Sequence, residues 1–198
     1  MTARLLFVGT ALVLLSTVGN ASDSVAQHRS TYAGQEHREI KSLSNQDLDD
    51  LRAGRGWGLA RAAELNGVPG PIHLLEMKEE IDLSEEQVAQ IERLYQNMKE
   101  QAIPLGLKLI ELERELDESF ANGTIDEHSL KQLLAEIAGV HKDLRYAHLS
   151  AHLKTPDILM PSQIENYNRL RGYSTDDPCA NVPAGHDPAM WKKHNNCQ

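Results

Sequence analysis

Basic residues, aromatic rings, cysteines and long apolar runs are all scarce in this chain. Its 198 residues hold 20 Lys and Arg against 29 Asp and Glu, a formal net charge of −9. That balance excludes a nucleic-acid binder, whose affinity rests on a basic surface. The length leaves room for about one domain of ordinary size and excludes a large multidomain enzyme. Beyond the first 18 residues no run approaches the ~20 apolar residues of a membrane span. No segment alternates with the period of a strand, so the expected fold class is all-α. Set against two Phe and two Trp, nine histidines are an unusual surplus.

The one long apolar run lies at the start and reads as a secretory signal. Arg4 supplies the positive region, Leu5 through Leu15 the apolar region, and Gly19-Asn20-Ala21 the small residues of a cleavage site. Ser24-Val25-Ala26 is an alternative cut, and an uncleaved membrane anchor is the rival reading, disfavoured by the short run. No Cys follows the apolar region, so a lipid anchor is not indicated. Removing residues 1–21 takes away Arg4 and no acid, which leaves the mature chain one charge more acidic. The expected destination is the periplasm. Export makes Cys179 and Cys197 candidates for a disulfide that closes the C-terminal tail and contributes about 3 kcal/mol. Reduced, they would instead join His186, Met190 and His194 in a soft-metal cluster, and a disordered tail is the third reading.

The remainder divides into a polar, flexible lead-in (22–43), a helical body (44–172) and the tail (173–198). Ser44 is a plausible N-cap for a helix carrying Leu48, Leu51, Leu59, Ala62 and Ala63, ended by Asn66-Gly67. A short helix should follow from Pro71 to about Ile81. Ser84-Glu85-Glu86-Gln87 is a capping box. Behind it Val88, Ile91, Tyr95, Met98, Ala102, Leu105, Leu109, Leu112 and Leu116 form one seam on a helix about 35 residues and about 50 Å long. Pro104 should bend this helix, and Gly106 should ease a close approach. Asn122-Gly123 makes a turn into a second long helix, about Asp126 to Lys154, and Leu159 to Leu170 forms a last short one before Gly172. Such a thin antiparallel hairpin buries only one seam, so a homodimer is the expected way to cover the rest.

Chemistry concentrates on the second long helix. Its seam runs Leu130, Leu134, Ile137, His141, Leu144, His148, Ala151, so periodicity places histidines at or beside the interior. His148 and His152 are one turn apart on one face, a spacing that chelates a single ion. Folding the hairpin about Asn122-Gly123 sets Met98 opposite His148, with Tyr95 or Leu94 near His152. Two imidazoles and a thioether suit zinc, copper, nickel or cobalt rather than magnesium or calcium. The bland alternative is an amphipathic edge whose histidines are satisfied by hydrogen bonds or water. His141, two turns before His148, would belong to a second site, and His73 with Glu76 would complete a shell from the other subunit. Catalysis is not expected. Gly54-x-Gly56-x-Gly58 follows no strand and has the wrong spacing for a phosphate loop, and no Ser sits in a nucleophile elbow. The acidic run Glu111, Glu113, Glu115, Asp117, Glu118 reads as a solvated face.

Two segments, Leu83-Ser84-Glu85-Glu86-Gln87 and Leu159-Met160-Pro161-Ser162-Gln163, resemble the Leu-Thr-x-x-Gln signature of the Spy/CpxP-like periplasmic proteins. They depart from it only at the second position, Ser84 conservatively and Met160 not, and each opens a helix on one side of the hairpin. Gly56-Trp57-Gly58-Leu59-Ala60, Ala63-Glu64-Leu65-Asn66-Gly67 and Pro69-Gly70-Pro71-Ile72-His73 are similar to a segment of a bacterial subgroup of metal-resistance or metal-sensing proteins. The resemblance implies a curved helical dimer in the periplasm. It implies binding of zinc, nickel or cobalt for sensing or resistance; a shift of hairpin or dimer geometry on binding, read by a membrane-bound sensor, is the expected mechanism. The alternative it offers is an ATP-independent chaperone for unfolded clients, or an envelope-stress regulator. Metal-binding relatives use an i, i+4 His pair, which corresponds here to His148 and His152.

Overall fold

The computed structural model describes residues 28–173, 182, 185–194 and 197. The expected signal (1–21) and Cys179 lie outside the described residues, and with Cys179 the expected disulfide. The chain divides into two units, residues 1–37 and 38–198. Residues 28–37 are a short run of turns. Within the second unit the described helices are α1 (Asn45–Arg52), α2 (Arg61–Glu64), α3 (Pro71–Glu76), α4 (Glu85–Ala121), α5 (Glu127–Lys154), α6 (Pro161–Leu170) and α7 (Pro188–His194). The only pairing of strand type among the described residues is an isolated bridge between Ile40 and Leu43. The fold is all-α, and no described helix is long and apolar enough to cross a membrane.

The two long helices pack against each other as the antiparallel hairpin that the seam predicts. Both begin on reciprocal capping boxes. Ser84 and Gln87 exchange side-chain and backbone bonds at the start of α4, and Asp126 and Ser129 do so at the start of α5. Helix α4 runs on through Pro104 without ending there. Two apolar clusters flank the hairpin's middle. One joins Ile40, Leu43, Leu48 and Leu51 to Leu109, Leu112, Ile137 and Leu144. The other gathers Leu74, Ile81, Ile91, Leu159 and Tyr167 at the opposite end. Gly106 is required by the first: a Cβ there would sit 2.9 Å from the carbonyl carbon of Leu51, so α1 rests directly on the α4 backbone.

The expected helix from Pro71 to about Ile81 ends at Glu76, and the structure departs from the sequence reading in three further places. Helix α1 stops at Arg52 rather than continuing toward Asn66. Gly54, Trp57 and Gly58 have φ of 61°, 43° and 71°, and three left-handed residues in five cannot continue a right-handed helix. On α5 the buried seam residue is Leu133, while Leu134 is 49% exposed. Two adjacent leucines fit a 3.6-residue period almost equally well, so spacing alone could not choose between them. The end of the expected flexible lead-in belongs to the core. Ile40 and Leu43 are buried, Lys41 Nζ pairs with Asp117 at 3.0 Å, and Ser42 donates to Glu113 at 2.7 Å.

The two five-residue motifs meet. Gln87 Nε2 donates to Gln163 Oε1 at 2.8 Å, and Gln163 Nε2 donates to Gln87 Oε1 at 3.0 Å. Each oxygen also accepts the backbone N–H that opens its own helix, from Ser84 at 3.0 Å and from Met160 at 2.8 Å. Each nitrogen crosses to the carbonyl just before the other motif, Ile158 at 2.8 Å and Asp82 at 3.0 Å. Two donors and two acceptor sites on each amide are thereby all used. Gln87→Ala and Gln163→Ala should each lower unfolding free energy by about 1 kcal/mol, because both strand part-buried partners. In urea titrations the double variant should cost at least about 0.5 kcal/mol less than the sum of the singles.

Candidate metal centre

Between the two apolar clusters the hairpin seam turns polar, and a cleft of about 490 Å³ opens there. Met98 and Tyr95 reach it from α4, His148 and His152 from α5, His73 from α3, and Glu64 from α2. The turn Gly54–Gly58 forms another wall, with Trp57 lining the cleft. Folding thus sets Met98 on the same cleft as the two histidines.

His148 is 3% exposed, and its Nε2 is buried without a hydrogen-bond partner. Burial, helped by the neighbouring His152, pushes its pKa down to about 4, so the ring is neutral near pH 7. His152 is buried too, and burial lowers its pKa against the opposing pull of Val68 and Glu64. Its Nδ1 lies 3.0 Å from the Val68 carbonyl. A carbonyl can only accept, so Nδ1 carries the proton and Nε2 of the neutral ring keeps its lone pair. This is how a ligating imidazole is generally oriented by its second nitrogen. Thr155 clamps the same loop by donating to the Pro69 carbonyl at 2.7 Å. Gly70 permits the contact, since a Cβ there would sit 2.9 Å from His152 Nε2.

The acidic side of the cleft is already engaged. Glu64 Oε1 accepts from Tyr167 Oη at 3.1 Å, and Oε2 accepts from Arg171 at 3.1 Å and Tyr173 Oη at 3.2 Å. Burial works against its charge, but His73, Arg171 and the two tyrosine hydroxyls outweigh burial and hold its carboxyl below the usual range. His73 stands between two carboxylates, Nε2 at 3.5 Å from Glu64 and Nδ1 at 2.8 Å from Glu76. Among the described residues no three His, Cys, Asp or Glu side chains are gathered into a ready ligand set.

One expectation is corrected here. His73 reaches the cleft within the same chain, because α3 packs directly on α4, and needs no second subunit to do so. His141 lies outside the cleft, in keeping with the two turns that separate it from His148. It stacks on Trp57, with ring centroids 5.5 Å apart at 22°, which places it behind that wall. In the tail His186 meets Trp191 edge to face at 5.0 Å, and the side chain of His194 lies outside the described residues. The sequence reading missed Glu64, Tyr167, Arg171 and Tyr173 as parts of this region. Glu64 did fall within the segment similar to metal-resistance proteins, which was the one signal pointing to it.

Against known families, the model for the LTXXQ motif family protein matches residues 73–171, half of the chain. The chain belongs to the LTXXQ motif family. The match spans both Leu-x-x-x-Gln segments and the hairpin between them, the arrangement shared with Spy/CpxP-like proteins. Comparison with curated proteins and with solved structures finds no match. Within this LTXXQ member the polar interruption of the seam has a measurable consequence. Between pH 6.5 and about 4 the unfolded chain binds a proton at His148 that the folded chain does not, so stability falls as pH drops through that window. In metal-free buffer the loss from this group should be on the order of 3 kcal/mol. Urea midpoints measured from pH 7 to pH 4 should show it, and His148→Leu should flatten the profile by that amount.

Proposed function

We propose that this LTXXQ family member is a periplasmic metal-binding protein acting in heavy-metal sensing or resistance, and a binder rather than a catalyst. The observation that carries the reading is the buried Nε2 of His148, unpartnered beside a His152 ring whose own Nε2 is left free. A buried polar atom without a partner is costly, and an ion supplies the missing one. His148 and His152 would hold the ion, with Met98 as the third donor and His73 at the cleft's margin. Binding would favour one arrangement of the hairpin or dimer by its differential affinity, and a membrane-bound sensor would read that shift. Because burial keeps His148 neutral to about pH 4, its proton competes with an ion there rather than near pH 6, where an unperturbed imidazole would.

Titration of chelator-stripped protein with zinc, copper, nickel and cobalt salts tests the proposal. At least one should bind tighter than millimolar, and His148→Ala with His152→Ala should weaken that ion by at least about 100-fold. Unchanged affinity in the double variant would overturn the reading. The second reading is an ATP-independent chaperone. It is favoured by large apolar side chains left exposed on the hairpin: Leu107 and Phe120 on α4, Leu134, Tyr146 and Leu153 on α5. Aggregation suppression that a chelator does not affect would select this reading instead.

A further inference from the structure

We infer that the ion the cleft selects is a soft monovalent one, Cu(I) or its analogue Ag(I), held by His148, His152 and Met98. The inference rests on the metal-binding reading above and narrows it by charge and by donor type.

The free donors in the cleft are all uncharged. His148 offers an Nε2 with no partner, His152 an Nε2 freed by the Nδ1 contact to Val68, and Met98 a buried thioether. The cleft's carboxylates already hold partners: Glu64 pairs with Tyr167, Arg171 and Tyr173, and one oxygen of Glu76 with His73. A dication placed among neutral donors gains no charge compensation from its own ligands. Because the hydration lost on burial grows with the square of the charge, it gives up about four times that of a monocation of equal size. Coordination number points the same way. Zinc takes four ligands, with nitrogen, thiolate or carboxylate at each protein position. Among the described residues no three His, Cys, Asp or Glu form a ready ligand set, and the third donor beside the two imidazoles is a thioether. Thioethers select Cu(I) over the borderline divalent ions. Trp57 walls the same cleft, and an indole face attracts a cation that has shed its water.

The test is calorimetric titration of the full chain with Ag(I) in chloride-free buffer and with Cu(I) under anaerobic ascorbate, beside zinc, nickel and cobalt salts. The wild type should bind one equivalent of Ag(I) at least 100-fold tighter than any of the divalent ions. Met98→Leu, close in volume and expected to fold, should weaken that equivalent by at least tenfold and leave zinc affinity unchanged. Ag(I) affinity indifferent to Met98→Leu would overturn the inference. So would tighter binding of zinc, nickel or cobalt through His148 and His152, which would leave the broader metal-binding reading standing. Binding of no ion at all would overturn both.

Discussion

The reciprocal bond between Gln87 and Gln163 is the constraint on which the rest of the molecule depends. Each amide closes its own helix start, bonds its counterpart and reaches a carbonyl across the junction, so the beginnings of α4 and α6 are locked to each other. A carboxylate could not replace either amide, because it has no N–H to donate. With α6 fixed at its first turn, Tyr167 is carried into the second apolar cluster, and its hydroxyl reaches Glu64. Arg171 and Tyr173, just beyond α6, complete the hold on that carboxylate. The acidic wall of the cleft therefore hangs from the second motif, and the histidine wall from the hairpin that begins at the first.

Local chemistry made the long elements legible. The capping box at Ser84, the seam from Val88 to Leu116 and the Asn122-Gly123 turn rest on local patterns, and each agrees with the structure. The segment after α1 was harder for an identifiable reason. Leu59, Ala62 and Ala63 continue the helical period, but Gly54 and Gly58 take positive φ and draw Trp57 with them. The turn is then pinned by an ion pair from Arg55 to Asp50 and by the Trp57 indole donating to Asp47 at 2.8 Å. Apolar spacing carries no information about those tertiary bonds.

The same distinction separates the two halves of the candidate site. That His148, His152 and Met98 line one cleft was legible because a hairpin with a known turn pairs residue numbers across it. Glu64 was not, because its partner Tyr167 is 103 residues away and its partner Tyr173 is 109 residues away. Those contacts follow from the way α6 folds back, and that depends in turn on two amides meeting across 76 residues. His73 was assigned to a second subunit for a similar reason. Nothing local shows that the chain between α2 and α3, held by Thr155 and His152 at Pro69 and Val68, returns the ring to its own hairpin.

Energetics decide how the polar break in the seam is to be understood. A leucine at 148 would join Leu144 and Ala151 in a continuous apolar contact, whereas the histidine leaves a buried nitrogen unpaired at a cost of about 1–3 kcal/mol. Apolar clusters on both sides of the cleft carry the fold across that break, so the loss is local rather than global. Local choices that oppose stability while the surrounding structure agrees with itself are expected at functional or strained sites, and the proposed function takes His148 as one of the former. A ligand that satisfies Nε2 removes the penalty and adds its own binding free energy, about 2.7 kcal/mol at a hundredfold excess over Kd. On the proposed function, the filled cleft would be the more stable form of the hairpin, and the geometry of α4 against α5 would be coupled to the ion through the same two rings that interrupt the core.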